Sequence, residues 1–325
     1  MYNYVMRKNS EKTPLLTGAD GGTCFTAVSI ITLLVSVVLT VIVLAKGESG
    51  LNFINSTAGQ YLNYGLSSVA LAATAGFCAV KSKCDVKEVC AFKPFKPIFA
   101  LIAAGIAFGS LYGLGWINDA FISLLKNFGY KGSSINIPHE GFGNFLLCTL
   151  LICVLPAFFE EFIFRGFLLG GSKRLGDAFV VLAGGALFSL FHKNPAQTPY
   201  QFIEGALFCL LALKSGSIIP SMLTHFINNF YIVCRYYIVY AVSSDPENYA
   251  LPVYVSVPLM VVALGVLAVC VWFLIKKCKK SEYEQKVNEL YAKNFDIKSE
   301  RRQFFLFSAI GILVCAASWL AALFN

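Results

Sequence analysis

Two adjacent carboxylates and an arginine one turn further on lie in an apolar stretch, LLICVLPAFFEEFIFRGFLLGG, as Glu160, Glu161 and Arg165. An ionisable residue at membrane depth costs about 2.5–3.5 kcal/mol on insertion scales and usually marks function. On a helix, Glu161 and Arg165 are four apart and share a face. Glu160 points about 100° away from its neighbour. Arg165 can therefore neutralise and orient one carboxylate while the other stays free for chemistry. A Glu–Arg pair snorkelling from a helix end would account for Glu161 and Arg165. It leaves two adjacent carboxylates with an apolar turn on each side unexplained.

Two further stretches carry ionisable or amide groups. AFVVLAGGALFSLFH ends in His192, and SIIPSMLTHFINNFYIVCRYY holds His225 and Asn229. His225 and Asn229 are four apart and can aim at one point, while Asn228 is expected to face elsewhere. Taken singly, His192 reads as an interfacial residue and the His225/Asn229 pair as glue between helices. Depth ties them together. At about 1.5 Å per residue, Glu160 lies ~15 Å from the end of its helix near 170, and His192 ~22 Å from a start near 178. His225 lies ~12 Å from a start near 217 on the same rise. The remaining histidine, His139, falls in a polar loop and reads as solvated.

Three roles suit this set. A carboxylate in a desolvated pocket can act as general base on water. Two histidines with a carboxylate (Glu160, His192 and His225) are also a candidate zinc site. His225 and Asn229 could instead donate hydrogen bonds to an oxyanion. All three belong to water attack on an amide. The chain has no HExxH and no GxSxG, so neither a thermolysin-like zinc helix nor a nucleophile elbow is present.

Helices must bring these residues together. The 325 residues are 57% hydrophobic and 14% charged, against roughly 25% charged in soluble chains. Several apolar runs exceed the ~18 residues that cross a ~30 Å hydrocarbon layer, and in lipid such runs are helical because backbone groups find no other partner. The expected fold is all-α, a polytopic transmembrane bundle of eight to nine spans. The nine candidate spans are 24–45, 60–80, 97–117, 143–166, 178–192, 199–213, 217–242, 252–275 and 304–324. Glu204, on the sixth, is expected near the outer interface.

The chain divides into a tail (1–23), N-terminal helices with an outer loop (24–142), a catalytic core (143–235) and C-terminal helices (236–325). The outer loop is expected over 118–142. A charged cytoplasmic segment is expected over 276–303, where Glu282/Lys286 and Glu289/Lys293 are helix-supporting pairs. Net charge is +8. The lysines cluster in alternate loops, which encodes topology and argues against nucleic-acid binding. That pattern places the N-terminus in the cytoplasm of a multi-pass protein of the cell (plasma) membrane. The polar N-terminus followed by a long apolar run reads as a first span rather than a cleaved signal. Eleven cysteines, without a CxxC pair, read as small buried hydrophobes.

The motifs Glu160-Glu161-x-x-x-Arg165, Phe188-x-x-x-His192 and His225-x-x-x-Asn229, in this order on successive spans, resemble the CAAX prenyl endopeptidase and bacteriocin-processing family of intramembrane proteases, known as CPBP or Abi. Leu213-Lys-Ser-Gly-Ser-Ile-Ile-Pro220 is similar to the family as well, and the resemblance covers roughly 143–235. It implies that Glu160 activates water together with His192. It implies that His225 and Asn229 stabilise the oxyanion, and that Glu161 and Arg165 support the site. The implied substrate is a membrane-associated peptide or prenylated protein, with peptide or bacteriocin processing or self-immunity as the role. Zn2+ is the cofactor that the metalloprotease label carries. Two other classes fit intramembrane Glu and His: a proton- or ion-coupled transporter and an inactive membrane scaffold.

Overall fold

A computed structural model describes residues 16–82, 86, 90–132, 137–246, 249–276, 278 and 296–324. Among these the secondary structure is helical, with no strand. In chain order the helices are α1 (Gly18–Lys46), α2 (Glu48–Asn55), α3 (Thr57–Ser82), α4 (Ile98–Gly113) and α5 (Gly115–Lys126). There follow α6 (Gly141–Leu175), α7 (Asp177–Phe191), α8 (Thr198–Ser215), α9 (Ile219–Val242), α10 (Val253–Lys276) and α11 (Ile297–Leu323). The architecture is the expected all-α polytopic bundle.

The expected spans and the helices coincide along the chain, but α1, α6 and α11 run past the expected limits, α6 on to Leu175 and α11 from Ile297. Helix α1 begins at Gly18, six residues before the apolar run, because Thr17 and Asp20 form a capping box. The expected outer loop over 118–142 is partly helical, since α5 continues to Lys126. The pairs Glu282/Lys286 and Glu289/Lys293 lie outside the described residues.

The span count is smaller by length and composition than the eight to nine expected. Five helices (α1, α3, α6, α10 and α11) are long and apolar enough to cross a membrane, or six if the pair α4 and α5, bent by 40°, counts as one span. The reason is physical. Helix α7 has 15 residues, about 22 Å of rise against a ~30 Å core. Helices α8 and α9 carry the polar residues of the site and so dilute their own apolarity.

Small residues let the helices approach. Gly105, Gly109 and Gly113 form a stripe on α4 against Leu264, Leu267 and Cys270 of α10, where a Cβ on Gly109 would lie 2.6 Å from Leu267 Cβ. Gly22 of α1 meets the Phe304 carbonyl of α11, and Gly171 of α6 meets the Thr17 carbonyl, each at 2.5 Å from an added Cβ. Phe25, Val28, Phe164, Phe188 and Phe304 belong to the main buried core.

Candidate active site

The two glutamates sit on a short α-helical stretch of α6, Leu155–Glu161, between two π-helical stretches, Thr149–Val154 and Phe162–Leu168. Wider π turns within α-helices occur often at functional sites. Pro156 opens the stretch and has no N–H to offer the carbonyl four residues back, that of Ile152. Asn229 Nδ2 donates to that oxygen at 2.9 Å. The break in α6 is thereby tied to α9.

The neighbouring carboxylates face different surroundings, as their 100° separation requires. Glu161 points into the packed interior and is fully buried. Its Oε1 accepts from Arg165 Nη1 at 2.9 Å and from His225 Nδ1 at 3.0 Å. Arg165 is also buried, and its Nη2 donates to the Gly205 carbonyl at 3.0 Å. Its guanidinium lies over Phe188 at 4.3 Å and over Phe208 at 5.0 Å from the ring centroids. A guanidinium over aromatic faces gains electrostatic attraction from the rings. A carboxylate, a backbone carbonyl and two rings thus hold one cation in one place.

Glu160 turns the other way, into a cavity of about 200 Å³. Helix α7 contributes Phe188 and, at its C-terminal end, His192; α9 contributes His225, Asn228 and Asn229. Helix α3 closes the cavity with Tyr64, Ser67, Ser68 and Leu71. Glu160, His192, His225 and Asn229 therefore share one cavity, while Glu161 and Arg165 stand behind it. Glu160 Oε2 is buried and has no hydrogen-bond partner among the described residues.

Each imidazole has one nitrogen committed. His192 Nδ1 is 2.8 Å from the Phe188 carbonyl, which can only accept, so this nitrogen carries the proton. His225 Nδ1 likewise donates to Glu161. In both rings Nε2 is the remaining nitrogen. Phe188 packs edge-on against both, with centroids 4.7 Å from His192 and 6.1 Å from His225. Helices α7 and α8 touch through glycines: a Cβ on Gly205 would lie 2.9 Å from Phe188 Cβ and 3.0 Å from Gly185 Cα. This close approach carries the Gly205 carbonyl to Arg165. Gly216 ends α8 with φ 68, in the left-handed region. Ser217 Oγ then donates to the Lys93 carbonyl at 2.7 Å. That anchored turn sets the start of α9 and hence the level of His225.

Metal fit is mixed. Histidines with Nδ1 held and Nε2 left over have the usual form of metal-ligating imidazoles. Among the described residues, however, no three His, Cys, Asp or Glu side chains come together closely enough to hold a metal ion. Glu160, His192 and His225 line the cavity without forming a metal-binding group.

Three residues differ from their expected places. Glu204 is 1% exposed and lines the cavity, not an outer interface. Asn228 also lines it, and its Oδ1 accepts from Tyr200 Oη at 2.7 Å. The cavity wraps around α9 far enough to reach two successive residues. His139 is half-buried and lies 4.0 Å from the Tyr240 ring, ring to ring. The spacing of Gln201, Glu204 and Phe208, three and four apart, was the available sign that Glu204 shares a helix face with a buried aromatic residue.

Residues 142–231 match the family model described as type II CAAX prenyl endopeptidase Rce1-like. This is the family that the motif spacing resembles, and the matched segment contains every candidate site residue. No curated protein and no solved structure gives a match to the chain.

Proposed function

We propose that the chain is an intramembrane endopeptidase that hydrolyses a peptide bond of a membrane-associated peptide or prenylated protein, with Glu160 as the base that activates water. One observation carries this reading: Glu160, His192, His225 and Asn229 come from three helices and line a single cavity. The family description adds the substrate class.

Glu160 Oε2, without a competing hydrogen bond, accepts a proton from water while His192 Nε2 orients that water. The hydroxide attacks the scissile carbonyl carbon. The Nδ2 of Asn229 has two N–H bonds, one given to Ile152, and the second is directed to the developing oxyanion. For His225 to donate from Nε2 its ring must carry a second proton, because the Nδ1 proton is committed to Glu161. Collapse of the tetrahedral species breaks the C–N bond, and Glu160 returns its proton to the leaving amine. Glu161 and Arg165 do not touch substrate. They hold His225 in register. Donors fixed in advance around a developing charge are the larger part of such catalysis.

Glu160, His192 and His225 would be the residues to hold a zinc ion, which would itself supply activated water, although among the described residues they form no metal-binding group. Chelation of the purified, active protein decides between glutamate and metal: unchanged turnover with excess chelator favours the glutamate alone, and loss restored by zinc favours the metal. A cell-membrane location with a cytoplasmic N-terminus is part of the same proposal, resting on the lysine-rich alternate loops, and protease protection of an N-terminal tag tests it. The deciding experiment is mass spectrometry of membrane and secreted peptides from cells carrying wild type or Glu160→Gln. Cleavage products present only with wild type support proteolysis. Identical peptide sets, with both proteins inserted, remove it.

A further inference from the structure

Helix α8 places an acid in the cavity that the proposed mechanism does not use. Glu204 is 1% exposed, both of its carboxylate oxygens are buried, and among the described residues no charged donor is bonded to them, the Ser110 hydroxyl of α4 being a neutral neighbour. It lines the same cavity as Glu160, His192 and His225. Gln201 and Phe208, three before and four after it, line that cavity too, so the whole face of α8 is turned inward. The cation beside it, Arg165, is already given to Glu161 and to the Gly205 carbonyl. Tyr200, one turn back, spends its hydroxyl proton on Asn228.

An unpaired ionised carboxylate taken out of water costs several kcal/mol, and an apolar residue on α8 would avoid that cost. The charge balance points the same way. With His225 carrying the second proton that the mechanism requires, Glu160, Glu161 and Glu204 contribute −3 and Arg165 and His225 +2, which leaves the carboxylates in excess in and behind one small cavity. A positive group entering the cavity would balance that excess. Aliphatic side chains supply none.

We propose that Glu204 is a specificity-determining residue that receives a cationic side chain, lysine or arginine, of the peptide substrate close to the scissile bond. The inference rests on the endopeptidase reading and deepens it by naming the substrate class. A buried carboxylate that finds a charged donor gains a strong, charge-assisted hydrogen bond, and a substrate lacking that donor leaves the acid unpaired.

The full chain in lipid nanodiscs is incubated with a mixed-sequence peptide library, and cut sites are read by mass spectrometry. Wild type is expected to enrich lysine or arginine at one fixed position within a few residues of the cut, by about tenfold over norleucine, the uncharged counterpart of lysine. Glu204→Gln is expected to erase that ratio, and Glu204→Asp to restore it at least in part. Thermal unfolding of each variant separates lost selectivity from lost fold, and the aspartate variant keeps the test open if the glutamine one does not fold. The same residue preference in wild type and Glu204→Gln overturns the inference while leaving the protease reading intact. Absence of any cleavage by wild type, or equal cleavage by Glu160→Gln, overturns both.

Discussion

The α1–α11 contact and the α6–α9 cluster are both helix packing, yet they are built on opposite rules. Between α1 and α11 polar groups pair across the two helices, and among the described residues neither helix buries a side-chain nitrogen or oxygen without a partner. Gly18 N–H donates to Glu300 Oε2 at 2.6 Å, Gly311 N–H to Thr26 Oγ1 at 3.2 Å, and Cys315 Sγ to Ser29 Oγ at 3.3 Å. Glycines set the helix spacing, and Phe25 and Phe304 fill what is left. In the α6–α9 cluster, charges are buried and some atoms have no partner among the described residues: Glu160 Oε2, both oxygens of Glu204 and Arg165 Nε. Packing by small residues costs little and gives rigidity. Buried charge is weak support for stability, and unsatisfied groups in a native structure call for an explanation. The difference teaches that the second region leaves buried polar atoms unpaired around a cavity, while the first pairs its polar groups and packs closely.

Substitutions can break or sharpen this contrast. The largest effect is expected from Glu160→Gln in purified protein. Turnover should fall by about 10²–10⁴-fold, the usual contribution of a general base, with the unfolding temperature unchanged because Oε2 makes no hydrogen bond to lose. Retained turnover would put the base elsewhere. Next comes Arg165→Ala, which strands the buried Glu161 carboxylate. Breaking such a pair from one side costs about 3–5 kcal/mol, so detergent unfolding should show a large loss. Adding Glu161→Gln should recover part of it, and no recovery would mean that the pair is not coupled.

On the other side of the comparison, Gly22→Leu should cost about 1–3 kcal/mol through overpacking, since even a Cβ there would sit 2.5 Å from the Phe304 carbonyl oxygen. Turnover per folded molecule should be unaltered. A selective loss of turnover would show that the scaffold and the site are not separable. The smallest change is expected from Trp319→Phe, which removes the 2.8 Å hydrogen bond from its indole to Thr198 Oγ1 at the start of α8. About 1 kcal/mol of stability should be lost, measured by the same unfolding assay.

Much of this was legible in the chain. Apolar runs of membrane length gave the helices and most of their limits, because in lipid a backbone has few other ways to satisfy itself. The Glu161–Arg165 pairing follows from helical spacing alone, and so does the divergence of Glu160 from Glu161. The ends of α1 and α5 were less legible. Hydropathy does not register a capping box at Thr17 or a polar helix reaching Lys126.

The amino-acid order by itself determined an all-helical membrane bundle and the residues able to do chemistry in it, since periodicity and the cost of charge in lipid act along a single segment. Only the tertiary structure decided which of those residues face one another. It brought Glu204 and Asn228 into the cavity with Glu160, set Glu161 and Arg165 behind it, and packed His139 against Tyr240. The physical reason is that helix rotation and spacing are set by contacts between segments, such as Gly185 against Gly205 and Asn229 against the Ile152 carbonyl. No single helix carries that information.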